Sequence, residues 1–255
     1  MWILLDMDGT LTPSGRAMAR SLDGDFRKIL REHRDCGSRI AVVSGATLSR
    51  MRSRLVGWWG AGVVDMWASS NGSEVWADGA DEPQSRVAVG EIWGEGGVER
   101  VQTTCAELHE AFKAANPTFR YTGPFVETRT ALVNWSPIGR GATLDDRAVF
   151  QEADTLHGIR GEWLPKLRTA LDGTSTAVSL GGKTSFDIFP AAHGKDQILS
   201  WATGDAWYIA DAIGPDGNDW PLARRLGSQV LATRAPVDTL RLLRDVIPRT
   251  SPVKL

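Results

Sequence analysis

Apolar residues recur along this chain with two alternating periods. The run Trp2-Ile3-Leu4-Leu5 ends in Asp6 and reads as a buried strand over residues 3–6. Leu22, Phe26, Ile29 and Leu30 then fall at helical spacing, which predicts a helix over 18–34. A β-rich run at 39–43, a helix at 47–56 and a strand at 63–68 follow, closed by Ser69-Ser70-Asn71-Gly72. This strand–helix alternation predicts a parallel, doubly wound α/β sheet.

Between residues 78 and 97 the pattern breaks into charged, Gly-rich loops. Beyond it lie a predicted helix at 98–115 and strands at 119–126 and 131–136. Helices at 145–153 and 162–171 lead to strands at 176–180 and 185–189. Helices mixed with antiparallel strands indicate an α+β module inserted into the first one. The first style returns with helix 195–203, strand 206–210, helix 220–226, strand 229–231 and helix 237–246. Residues 248–255 read as a loose end. The expected division is a core of residues 1–82 and 190–255 with an insert of 83–189.

A length of 255 residues suits one large domain or two modest ones, and a formal charge of −2 offers no bulk attraction to nucleic acid or an anionic membrane. Any phosphate binding must come from locally placed Arg and Lys. The two cysteines, Cys36 and Cys105, lack metal-ligand spacing and read as free thiols. No basic-then-apolar leader and no bilayer-length apolar span is evident, so the expectation is a soluble, cytoplasmic protein with no membrane partner. Eleven scattered tryptophans read as packing residues.

The chemistry begins where the first strand ends, in Asp6-Met7-Asp8-Gly9-Thr10-Leu11-Thr12. Open α/β sheets place ligands at the carboxyl ends of their strands. Alternate residues of a strand point to opposite faces, but a loop starting at Asp8 turns the second acid toward the first, with Gly9 permitting the tight backbone. Such a pair suits oxygen ligation of Mg²⁺ while one carboxylate attacks phosphorus. The plain alternative is a solvated Asp-x-Asp-Gly turn. Ser44 ends the second strand, beside Asp6 in a parallel sheet, although a Ser-Gly after a strand is also an ordinary turn. Asp211 ends the strand 206–210, and Gly217-Asn218-Asp219 follows. Asp6 and Asp211 on neighbouring strands favour a metal reading over a simple turn. In the insert, Arg129, Arg140 and Arg147 near one sheet form a possible phosphate cage, with Ser185 and Asp187 for sugar hydroxyls. Separate solvated arginines are the alternative.

The Asp-x-Asp-Gly-Thr run resembles the nucleophile loop of the haloacid dehalogenase-like (HAD) superfamily. That resemblance implies Asp6 as nucleophile, Asp8 as general acid/base, Ser44 as a phosphoryl contact and Lys195 as the neutralising cation. It implies Mg²⁺ held by Asp6, Asp8 and Asp211 with Asn218 and Asp219 in support, and the insert as a cap. Phe-Val-Glu-x-Arg from Phe125, Asn-x-Ser-Pro-Ile-Gly-Arg from Asn134 and Ser-Phe-Asp-Ile-Phe-Pro from Ser185 resemble signatures of the eukaryotic-type phosphomannomutases. That family implies interconversion of mannose 6-phosphate and mannose 1-phosphate, primed by a hexose 1,6-bisphosphate. It also implies substrate binding by Arg16, Arg129, Arg140, Arg147, Ser185 and Asp187, and a homodimer through the cap. The chain departs from the family where Ala210-Asp211-Ala212-Ile213 replaces Gly-Asp-Lys-Thr, where Ser44-Gly45 replaces Gly-Gly, and where an acid is missing after Asp219. These departures make a sugar-phosphate phosphatase the alternative outcome.

Overall fold

The computed structural model describes residues 1–249 and divides into two compact units. The first comprises 1–86, 193–215 and residues from Asp219 onward; the second comprises Val87–Ala192 with Asp216–Asn218.

In the first unit β1 (Trp2–Asp6), α1 (Arg20–Asp35), β2 (Arg39–Val43), α2 (Leu48–Arg54) and β3 (Met66–Ser69) alternate as their hydrophobic pattern requires. Strands β4 (Glu74–Ala77) and β5 (Ser85–Arg86) extend the sheet as an antiparallel edge. The loop expected from residue 78 is thus the turn of a hairpin, and Ser85–Arg86 belong to the core sheet. Only four residues make β4 and two make β5, too few for a readable alternation.

The second unit contains α3 (Val89–Trp93), α4 (Gly97–Ala115), β6 (Val126–Thr128), β7 (Val133–Trp135), α5 (Leu144–His157), α6 (Ile159–Ala170), β8 (Thr176–Gly181) and β9 (Ser185–Pro190). The strand expected over 119–126 is met only at Val126, where β6 begins, because Pro124 has no N–H to give a ladder. The chain then completes the first unit with 3₁₀ turns at Lys195–Ser200, β10 (Ala206–Ala210), α7 (Trp220–Leu226), β11 (Val230–Ala232) and α8 (Pro236–Asp245). The 3₁₀ turns stand where an α-helix was expected from Lys195. The loose end expected over 248–255 lies outside the described residues from 250 onward.

The first unit's sheet has the order β11-β10-β1-β2-β3-β4-β5, parallel from β11 through β3. Alternate residues feed opposite faces. Ile3, Leu5, Ile40, Val42 and Ile209 pack with Phe26, Ile29 and Leu30 of α1 and with Leu240 and Leu243 of α8. Leu4, Ala41, Val43 and Tyr208 pack with Ile198 and Leu222 on the other side. Both faces are covered, so all five residues of β1 are buried. The strand order reverses between β1 and β10, and the α/β rule places chemistry at the carboxyl ends of such a pair.

The second unit's antiparallel sheet runs β6-β7-β9-β8. One face carries Val133, Trp135, Phe186, Ile188 and Val178 into a core with Phe112, Phe150 and Trp163. The other aligns Glu127, Asn134, Asp187 and Ser179, each paired across the strands with the next. The tryptophans divide in the same way: Trp2, Trp58, Trp67, Trp135 and Trp163 are buried, whereas Trp201 and Trp220 are exposed. Both cysteines are free, and no helix among the described residues is long and apolar enough to cross a membrane.

Candidate active site

The loop after β1 is folded by its own backbone. The Met7 carbonyl accepts the N–H groups of Leu11 and Thr12, and Gly9 N–H donates to the Thr12 carbonyl. Gly9 has φ +93°, and a Cβ there would fall 2.1 Å from Asp211 Oδ2. Position 9 tolerates neither a side chain nor, without strain, the backbone of another residue, so the β1 loop and Asp211 approach closely.

Asp6 lies at the end of β1, 4 % exposed. Lys195 is wholly buried and donates from Nζ to Asp6 Oδ1 at 2.6 Å and to Asp219 Oδ1 at 2.5 Å. Asp219 Oδ1 also accepts the Tyr208 hydroxyl, and its Oδ2 accepts the Ala212 N–H at 3.1 Å. Asp219 thus accepts from an ammonium, a phenol and an amide, and so holds Lys195 and the turn after β10.

Carboxylate oxygens of Asp6, Asp211 and Asp219 all lie within 4.8 Å of one another. Burial pushes Asp6 well above the ordinary aspartate range; Lys195 opposes that shift, while Asp219 and Asp211 add to it. Asp211 opens to the surface on one side, yet burial of its inner side and the neighbouring Asp219 push it up to about 6. Burial works against the charge on Lys195, but Asp219 and Asp6 outweigh it and raise its pKa. Three carboxylates against one ammonium leave an excess of negative charge, and hard oxygen donors of this kind suit a divalent cation.

Asp8 is placed differently from Asp6. Its Oδ1 accepts Arg54 Nη1 at 2.5 Å and the Gly15 N–H at 2.9 Å, and its side chain stays 30 % exposed. Its carboxylate is not in the three-acid cluster. Ser44 is buried at the end of β2, its Oγ accepting the Ala46 N–H at 3.1 Å. Arg16 is exposed; its backbone N–H donates to the Pro13 carbonyl at 2.9 Å and its carbonyl accepts from Arg54 at 3.3 Å. Asn218 follows Gly217, which bridges to Leu180, and belongs to the second unit.

On the polar face of the second unit's sheet, Arg129 grips Glu127 Oε2 through Nη2 at 2.6 Å and Nε at 3.0 Å; Arg140 Nε meets the same oxygen at 3.3 Å. Asn134 Nδ2 donates to Asp187 Oδ1 at 2.7 Å and Ser185 Oγ at 3.1 Å. Arg147 instead donates to the Ala142, Gly139 and Arg140 carbonyls and to Thr184 Oγ1. Asn134 Oδ1, Ser136 Oγ and Ser179 Oγ are buried without a partner. Buried polar atoms are ordinarily satisfied, so three orphans near one polar row mark a place for hydroxyl-bearing ligand or water.

Sequence reasoning missed Tyr208, Arg54, Glu127 and Asn134 as site residues. Tyr208 had a signal: it is one of two tyrosines and stands in an otherwise apolar strand, where its hydroxyl needs a partner. Arg54 had none, because Arg50, Arg52 and Arg54 look alike on a short helix.

The sequence pattern of the eukaryotic phosphomannomutases matches residues 26–249. Phosphomannomutase 1 of Mus musculus is 29% identical over 261 residues, spanning 97% of this chain and 93% of its own. The phosphomannomutase of Galdieria sulphuraria is 30% identical over 250 residues, spanning 93% and 91%. Among solved structures, truncated IMP-bound IMP-nucleotidase of Plasmodium falciparum has a TM-score of 0.63 at 14% identity, covering 95% of this chain and 67% of that one. The C-terminal domain of C. albicans trehalose-6-phosphate phosphatase has a TM-score of 0.59 at 13% identity, covering 95% and 90%. At such identities the likeness is one of fold, the HAD fold.

Proposed function

The chain belongs to the eukaryotic phosphomannomutase family, and on that premise we propose that it interconverts mannose 6-phosphate and mannose 1-phosphate through an aspartyl-phosphate on Asp6. The observation that carries this reading is the buried Lys195–Asp6 contact at the switch point of the sheet. Lys195 holds Oδ1 of the nucleophile in place and opposes the upward shift that burial gives its carboxyl. The other oxygen attacks phosphorus, and the same ammonium then meets the charge that develops on the phosphoryl group.

Asp6 and Asp211 would hold Mg²⁺ with the Asp8 carbonyl, and Asp219 would support them through Lys195. The ion would supply charge neutralisation for the phosphoryl oxygens. Asp8 gives its proton to the departing sugar oxygen and takes one from the incoming hydroxyl. Arg129 and Arg140 offer guanidinium edges to the phosphate that is not reacting, in exchange for part of their hold on Glu127. Asn134, Ser185 and Asp187 offer the sugar hydroxyls both donors and acceptors. Arg147 shapes that site by clamping the turn that carries Arg140. A hexose 1,6-bisphosphate supplies the first phosphoryl group. Leu144, Val149 and Leu156 stand exposed on α5 and support pairing of two copies through the second unit.

³¹P NMR of the protein with mannose 1-phosphate, Mg²⁺ and catalytic glucose 1,6-bisphosphate tests the reading. Growth of mannose 6-phosphate without inorganic phosphate is expected. Inorganic phosphate as the main product would replace the mutase by a sugar-phosphate phosphatase, in which water takes the place of the second sugar hydroxyl.

The raised Asp211 carboxyl gives a pH signature. An aspartate ordinarily titrates near about 3.9, so a folded value of about 6 means the folded state holds a proton that the unfolded chain has lost. Its stabilising contribution is full below pH ~4 and is lost as the pH rises through ~6. The metal-free protein is expected to lose thermal stability over that window. Millimolar Mg²⁺ should raise the melting temperature clearly at pH 7.5 and little at pH 5. An equal Mg²⁺ effect at both pH values would contradict the assignment.

A further inference from the structure

We propose that Arg54 is a positioning residue for proton transfer: it holds Asp8 Oδ1, so that Oδ2 is the oxygen that hands over and recovers the proton. This inference rests on the assignment of Asp8 as acid/base made above.

Arg54 is the last residue of α2, and its carbonyl accepts the Met18 N–H at 2.9 Å, which ties the helix end to the segment before α1. Of the three arginines on this helix, Arg50 and Arg52 are exposed, and Arg52 lies over the Trp59 ring at 5.0 Å. Arg54 turns the other way. Its Nη1 reaches Asp8 Oδ1 at 2.5 Å and the Arg16 carbonyl at 3.3 Å, with its side chain only 16 % exposed. The Gly15 N–H donates to the same Asp8 oxygen at 2.9 Å.

Two donors, one of them charged, thus converge on Oδ1, and no hydrogen bond among the described residues reaches Oδ2. An oxygen that accepts charge-assisted bonds is the poorer place for a proton, so the protonated acid carries its hydrogen on Oδ2. Partial burial of the pair makes this bias stronger than in a surface ion pair. A carboxyl pinned through one oxygen also loses rotamer freedom, which general acid catalysis requires.

The step balances as follows. An Asp6 oxygen forms a bond to phosphorus while the bond from phosphorus to the sugar oxygen breaks. The electron pair goes to that oxygen, which takes the proton from Asp8 Oδ2. Asp8 is left as a carboxylate whose charge Arg54 continues to face. Reversal of the same movements lets Oδ2 collect the proton of the incoming hydroxyl.

Leaving-group dependence separates this role from a structural one. The rate of first-turnover phosphorylation of the protein is measured with glucose 1,6-bisphosphate and with acetyl phosphate, for wild type, Arg54→Met, Arg54→Lys and Asp8→Asn. Acetate departs without needing a proton, whereas a sugar alkoxide does not. Arg54→Met should slow the sugar donor about 100-fold and acetyl phosphate by less than about 3-fold, with unchanged KM. Arg54→Lys should recover part of the loss, and keeps the charge should the methionine variant lose its fold. Equal slowing of both donors by Arg54→Met, or a change in KM alone, would overturn the role of Arg54 while Asp8→Asn retains its selectivity. If Asp8→Asn itself slows both donors equally, the acid/base assignment falls, and this inference with it.

Discussion

Replacing Asp6 by Asn is expected to lower turnover of mannose 1-phosphate by at least ~10⁴-fold, the scale seen when a covalent nucleophile is removed. The side chain keeps its shape but can no longer form the acyl phosphate. Electrostatics makes the variant informative rather than merely dead. Burial, Asp219 and Asp211 all disfavour the charge on Asp6, and only Lys195 favours it. A neutral amide therefore relieves repulsion within the three-acid cluster, and Lys195 keeps its contact with Asp219. The melting temperature of metal-free Asp6→Asn should match or exceed that of wild type. Affinity for mannose 1-phosphate, read by calorimetry, should change little because Arg129, Arg140 and Asn134 are untouched. Residual activity above about one per cent of wild type would reject Asp6 as nucleophile.

Lys195→Met has the second large effect, and it concerns folding as much as catalysis. The methionine fills most of the lysine's volume but leaves Asp6 and Asp219 as buried carboxylates facing each other. Removing one partner of a buried ion pair costs about 3–5 kcal/mol, since the remaining charge is stranded away from water. Urea denaturation of the metal-free variant at pH 7.5 should show a loss of that size. The sign of its pH dependence follows. Without the ammonium, the folded carboxylates bind protons more tightly than the unfolded chain does. The cost should shrink as the pH falls toward 5 and grow as it rises. A loss below about 1 kcal/mol at pH 7.5 would mean that Lys195 is not the counter-charge that holds this cluster.

The two variants draw on one arrangement, in which a single buried ammonium serves two carboxylates. Its ability to be both structural and chemical comes from Asp219. By taking Lys195, the Tyr208 hydroxyl and the Ala212 amide, Asp219 fixes the lysine without competing for phosphorus. Asp211 is left facing outward beside the Gly9 turn, where an oxygen ligand to a cation is most useful.

Much of this was legible in the chain. The apolar run before Asp6 marks a strand buried on both faces, because only such a strand needs no polar alternation. The spacing of Phe26, Ile29 and Leu30 marks a helix with one buried side. Asp6 and Asp211 stand out as acids placed where apolar strands end, and the parallel order of those strands brings them together; Asp219 follows in the loop before α7. The alternation of Asn134 with Val133 and Trp135 likewise assigns polar and apolar faces to the second sheet.

Other features exist only in three dimensions. A short edge hairpin such as Glu74–Ala77 with Ser85–Arg86 lacks enough residues to display a period, and is stabilised by the sheet it joins. Arg147 and Arg140 are both arginines near one turn, but backbone carbonyls occupy the first while Glu127 meets the second. Glu127, one residue after Val126 in a three-residue strand, gives no sign of gathering two guanidinium groups. Arg54 differs from Arg52 only in the direction the helix presents it, and 46 residues separate it from Asp8. Sequence determined the longer core strands and helices and which acids end those strands, because hydrophobic period and chain order are local properties. Tertiary structure decided which cation meets which acid, because a salt bridge depends on the distance between charges, and folding alone sets that distance.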